Sequence, residues 1–124
     1  MLKKKLRNQK GFTLIEIIAV LIILGILAAV AIPKYFDLQS EARTKAAGAA
    51  VAALQSSATQ AYAQQLLNGN ANATNWTAPT GNVNVGDYYG TISGMQTVTV
   101  TVIGPNNLIT GVDANALTKN FNMW

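Results

Sequence analysis

From Ile17 to Ile32 the chain runs sixteen residues without one polar side chain. No other feature limits its options as strongly. Extended back to Phe12, the segment would be about 31 Å long as a helix at ~1.5 Å per residue, which matches a bilayer core. A helix that is apolar on every side belongs in lipid or among other helices. One carboxylate, Glu16, stands at the mouth of the run, four residues after Phe12 and ~6 Å along the axis. Two residues weaken the helix: Gly25, and Pro33, which cannot donate to the carbonyl of Ala29 and is expected to kink or loosen it.

The charge of the 124-residue chain sorts with this segment. Lys3, Lys4, Lys5, Arg7 and Lys10 precede it, whereas from Phe12 onward four basic side chains face five acidic ones. The basic excess is therefore a property of the first ten residues and reads as a topogenic signal, not as a nucleic-acid footprint. The absence of cysteine excludes disulfides and thiol chemistry. The absence of histidine removes the commonest general base and metal ligand. No nucleophile–base pair or metal cluster is evident, so the expected function is not enzymatic and calls for no cofactor.

Beyond Pro33 the periodicity changes twice. Ala47, Val51, Leu54, Ala58, Ala61, Tyr62 and Leu66 form one stripe at helical spacing, which predicts an amphipathic helix to about residue 67. Asn68-Gly69-Asn70 is a helix stop, and residues 70–81 read as loop. Gln96 to Val102 then alternates strictly, valines on one face and threonines on the other, as a half-buried strand. Asn82 to Ile92 and Leu108 to Val112 are its expected neighbours, with turns near Ser93-Gly94 and Gly104 to Asn107. The predicted class is α+β: a long N-terminal helix whose second half packs on a small antiparallel sheet, with Phe121 and Trp124 covering the sheet edge.

Two readings of the N-terminus compete. A secretory signal would use the Ala29-Val30-Ala31 site and leave Ile32 as the new end. The apolar run is long for that, and helical sequence continues past Pro33. The stretch KGFTLIEIIAVLIILGILAAVAIPKYFDLQSEAR instead resembles the N-terminus of type IV pilins and of type II secretion pseudopilins. A short basic leader ends in Gly11, followed by Phe12, Thr13, Leu14 and Glu16, with Gly25, Pro33 and Tyr35 also in place. The likeness covers about the first 45 residues. The alanine-rich continuation is most similar to pilins of the mannose-sensitive haemagglutinin type.

The resemblance implies a division into leader (1–11), transmembrane and filament-core helix (12–33) and globular domain (34–124). It implies cleavage between Gly11 and Phe12 and methylation of the new Phe12 amine by a prepilin peptidase/methyltransferase. It further implies an inner-membrane precursor, an assembly platform, and a homo-oligomeric helical filament at the cell surface. Gly25 and Pro33 would be the hinge of the helix. A short pseudopilin filament within a secretion machine is the alternative.

Glu16 is the residue with the sharpest role. Before cleavage Phe12 carries an amide; afterwards it carries a cationic amine, so the polar partner of Glu16 is expected to appear only on processing. Residues 12 and 16 lie one turn apart, allowing a contact within one chain. The resemblance implies pairing with the Phe12 amine of a neighbouring subunit. An unpaired buried charge is strongly disfavoured. The remaining motifs are weaker. Glu41 and Lys45 have i, i+4 spacing. Asp87 and Asp113 are too few for a calcium site. Asn72-Ala73-Thr74 and Asn75-Trp76-Thr77 match the glycosylation sequon.

Overall fold

The computed structural model describes residues 11–70, 72 and 75–123. The chain divides into two compact units, Met1–Asp37 and Leu38–Trp124. One helix, α1 (Leu14–Leu67), contributes to both.

In the first unit, α1 carries the large apolar side chains between Leu14 and Ile32 on every side, all of them exposed. The helix continues through Gly25 and Pro33.

In the second unit, which is α+β, the C-terminal part of α1 packs on one face of a sheet. The helix buries Ala47, Ala50, Val51, Leu54 and Ala58, spaced three and four apart as an amphipathic helix requires. Ala61 and Tyr62 are partly buried beside them. Leu66, expected on the same stripe, is exposed, because α1 has reached its end. There Asn70 N–H bonds the carbonyl of Gln65 at 2.8 Å and Gly69 N–H that of Leu66 at 3.1 Å. This pair of bonds is a Schellman motif, which Gly69 permits with a φ of 70°.

The sheet is a four-stranded antiparallel meander in the order β1 (Val83–Val85), β2 (Tyr88–Ser93), β3 (Thr97–Gly104), β4 (Thr118–Asn122). On β3, Val98, Val100 and Val102 are buried and Thr97 is exposed, with Thr99 and Thr101 half-exposed. Trp76, Ile92 and the three valines complete the core beneath α1. Gly90 marks the closest approach of helix and sheet: a Cβ there would lie 2.6 Å from Leu54 Cδ1 and would also collide with the Thr101 carbonyl.

The stretch from Asn82 to Ile92 is the expected neighbour of β3 and forms two strands, because Val85 pairs with Tyr88 and leaves Gly86-Asp87 as a two-residue hairpin loop. Positive φ at Gly86 alone fits a type II′ turn. One expectation is corrected: Leu108 to Val112 is not a strand. Asn106–Ile109 forms a short helix, α2, followed by α3 (Ala114–Leu117). Short apolar runs do not distinguish strand from helix. Here Ile109 reaches the core from α2, and the place beside β3 goes to β4, which sets Phe121 opposite Val98. Phe121 is thus part of the edge strand; Trp124 lies outside the described residues.

Candidate functional site

The first unit holds the residues that the sequence marks for processing and assembly. Gly11 and Phe12 precede α1 in non-helical backbone, and both are exposed. Thr13 occupies the N-cap position and Glu16 the third helical position. Thr13 N–H donates to Glu16 Oε2 at 2.7 Å, and the Thr13 hydroxyl donates to the same oxygen at 2.8 Å. In return Glu16 N–H points to the Thr13 carbonyl at 3.1 Å and to the Thr13 Oγ1 at 3.4 Å. This reciprocal arrangement is a capping box: each residue satisfies a donor that the first turn of a helix leaves without an intrahelical acceptor. A carboxylate at this end also faces the positive pole of the helix dipole.

The expectation that Glu16 gains a polar partner only after cleavage is therefore corrected. Thr13 supplies two donors to it in the uncleaved chain. Thr13 is the residue whose role the sequence reading missed. Its signal was present as Thr13-Leu14-Ile15-Glu16, the S/T-x-x-E pattern immediately before an apolar run.

Behind the capping box, α1 is long and apolar enough to cross a membrane. Gly25 lies within the apolar segment, and a Cβ there would meet nothing within 4 Å. Pro33 stands at the end of the apolar run. Lys3, Lys4, Lys5, Arg7 and Lys10, which the sequence led us to expect as a basic leader, lie outside the described residues.

In the second unit the loop after α1 is strapped to the core. Gln65 Nε2 donates to the Thr77 carbonyl at 2.7 Å and Thr77 N–H donates to Gln65 Oε1 at 3.0 Å. Trp76 is fully buried, its indole N–H bonded to the Met95 carbonyl and its ring edge-on to Tyr62 at 5.9 Å. A shallow groove of about 500 Å³ remains between residues 76–81 and 91–95. Arg43 Nη1 reaches the Thr110 carbonyl at 3.4 Å, tying α1 to the segment after α2.

The remaining candidates serve local structure. Asp113 Oδ1 accepts Asn115 N–H at 2.8 Å and caps α3, and Asp87 sits in the β1–β2 turn. Among the described residues no group of three acidic, histidine or cysteine side chains gathers to hold a metal. Of the two sequons, Asn75 Oδ1 accepts Asn72 N–H at 2.7 Å, while residues 73 and 74 lie outside the described set.

The N-terminus matches the family model described as the prokaryotic N-terminal methylation motif over residues 6–32. A "Fimbrial protein" of Pseudomonas aeruginosa is 46% identical over 56 residues, covering 45% of this chain and 36% of that protein. The "Type IV narrow pilus major component PilA5" of Thermus thermophilus is 45% identical over 49 residues, covering 40% and 42%. The "Type IV major pilin protein PilE1" of Neisseria gonorrhoeae is 32% identical over 118 residues, covering 94% of this chain and 52% of that protein. The chain thus spans about half or less of the length of these relatives. No solved structure matches it with significance.

Proposed function

We propose, from the premise that this chain belongs to the type IV pilin family, that it is a structural filament subunit stored in the inner membrane as a precursor. The observation that carries this reading is an exposed, non-helical Gly11-Phe12 bond directly before a capping box on an apolar helix.

In this reading a prepilin peptidase cuts the Gly11-Phe12 bond and methylates the new amine. A peptidase needs extended, reachable backbone, and a helix would withhold it. In the membrane, Thr13 holds the Glu16 carboxylate at the helix start. After the cut, the Phe12 amine lies one turn from that carboxylate and brings a full positive charge to it. In a filament, an assembly platform would draw α1 out of lipid and pack its apolar surface against neighbouring copies. The pairing of Glu16 with a Phe12 amine, of the same or the next subunit, then keeps both charges from being desolvated alone. The product is a surface pilus. A secretion pseudopilin shares the same N-terminal module, and surface fibres released by shear separate the two.

The test is a pair of substitutions scored for cleaved fraction in membranes and for sheared filament. Glu16→Leu is expected to be cleaved yet to yield few or no fibres. Thr13→Val removes the hydroxyl from the capping box, keeps the backbone N–H bond to Glu16 and leaves the carboxylate available to an amine, so fibres are expected to persist. Intact mass of the wild-type surface protein is expected to begin at N-methyl-Phe12. Wild-type fibre yield from Glu16→Leu, or a mature start at Ile32, overturns the reading.

A further inference from the structure

We infer that Lys34, Tyr35 and Phe36 form a collar that binds the headgroup zone of the outer face of the inner membrane and sets the depth at which the precursor rests. The inference deepens the proposal of a membrane-held precursor and rests on it.

The observations come from the first unit alone. The apolar run ends at Pro33, and the next three residues are an ammonium, a phenol and a phenyl ring. All three are exposed; Tyr35 keeps 67% and Phe36 63% of its surface. Their two rings meet edge-on, with centroids 6.4 Å apart and planes at 73°. Such large aromatic surfaces, uncovered within the unit, call for an environment that is partly apolar and partly wet. Tyrosine suits that zone because its ring is apolar and its hydroxyl needs water or a headgroup oxygen. Lysine suits it because its stem lies along hydrocarbon while the ammonium reaches phosphate.

The angular pattern selects lipid over a second copy of the chain as the occupant. Successive helical residues are rotated by ~100°, so three in a row sweep across ~200° of the circumference at nearly one height. A neighbouring helix would be met by a stripe with i, i+3, i+4 spacing along the axis. A membrane interface is a plane crossed by the axis, and only a band at one height meets it.

The length also fits. From Glu16 to Lys34 the helix rises ~27 Å, slightly less than a mean hydrocarbon core of ~30 Å. A span that is slightly short makes its depth sensitive to whatever holds the ends. The Thr13–Glu16 box marks one end; Lys34, Tyr35 and Phe36 mark the other.

The test uses the full chain, whose lack of cysteine makes single labels unambiguous. The replacements Leu24→Cys, Ala28→Cys, Ala31→Cys, Leu38→Cys and Ala42→Cys are reconstituted singly in phosphatidylcholine vesicles containing a minority of phosphatidylglycerol. A membrane-impermeant maleimide then locates the boundary of access. Leu24→Cys is expected to be shielded and Leu38→Cys labelled, with the boundary unmoved between short-chain and long-chain lipids. In the Tyr35→Ala/Phe36→Ala background the boundary is expected to move by about one helical turn, ~4 residues, as lipid length changes. Tyr35→Trp is expected to restore the fixed boundary. A boundary equally fixed with and without the aromatic pair overturns the collar while leaving insertion intact. Labelling at Leu24→Cys shows instead that the span is not inserted and overturns both this inference and the reading beneath it.

Discussion

Gly90 and Leu54 offer a quantitative test of how the helix meets the sheet. Leu54 is fully buried, and its Cδ1 lies where Gly90 has no side chain. Removing it leaves a space that the rigid backbone of β2 cannot fill, so Leu54→Ala is expected to cost about 3–5 kcal/mol, the upper part of the usual range. Gly90→Ala adds one methyl group at a site with no room. It strikes Leu54 Cδ1, which can turn, and the Thr101 carbonyl, which belongs to the paired strand. Overpacking typically costs about 1–3 kcal/mol, and a backbone collision belongs at the high end. At ~4–8 °C per kcal/mol for a unit of this size, Gly90→Ala is expected to lower Tm by roughly 10 °C or more.

The double variant isolates the contact. Shortening Leu54 removes one of the two collisions, so Leu54→Ala/Gly90→Ala is expected to lose about 1 kcal/mol less than the sum of the single changes. Gly90→Ala still destabilises the Leu54→Ala background, because the Thr101 carbonyl remains. Urea melts of the full chain in detergent, followed by the near-ultraviolet signal of Trp76 and Tyr62, measure all four corners. Strict additivity, or a harmless Gly90→Ala, would refute the placement of Leu54 over Gly90.

Gln65→Met keeps the length of the side chain but loses both hydrogen bonds to Thr77. It is expected to cost about 1–3 kcal/mol and to raise proteolytic nicking within residues 70–81 severalfold; unchanged nicking argues that Trp76 alone holds the loop. In an assembled fibre, the stretch from Gly25 to Pro33 is expected to be the least protected part of α1, since Gly and Pro cost about 1 and 3 kcal/mol relative to Ala inside a helix. A fibre map with regular helix unbroken from Phe12 to Leu67 defeats that hinge.

The parts that sequence determined are those that depend on near neighbours along the chain. Sixteen apolar residues in succession demand a lipid-like or protein-covered environment whatever else the chain does. Asn68-Gly69-Asn70 ends a helix because a left-handed residue is needed there and glycine supplies it without strain. The alternation from Gln96 to Val102 dictates a strand with valines inward, since the period of two leaves no other arrangement. The capping box was equally local, and it was legible as Thr13-Leu14-Ile15-Glu16.

Tertiary structure decided what depends on partners distant in sequence. Whether Leu108 to Val112 became strand or helix turned on which segment took the place beside β3. The stretch Thr118–Asn122 took it because Phe121 opposite Val98 covers the core, while Leu108 to Val112 lost to that packing. Trp76 lies in a stretch that reads as plain loop, yet among the described residues it becomes the largest fully buried side chain. Only the fold brings the Met95 carbonyl and the Tyr62 ring to it. Gly90 looks like a weak point in a strand until Leu54 arrives above it. The physical reason is common to all three: periodicity and capping are set by dihedrals and neighbours within one turn, whereas close packing is set by surfaces that folding alone brings into contact.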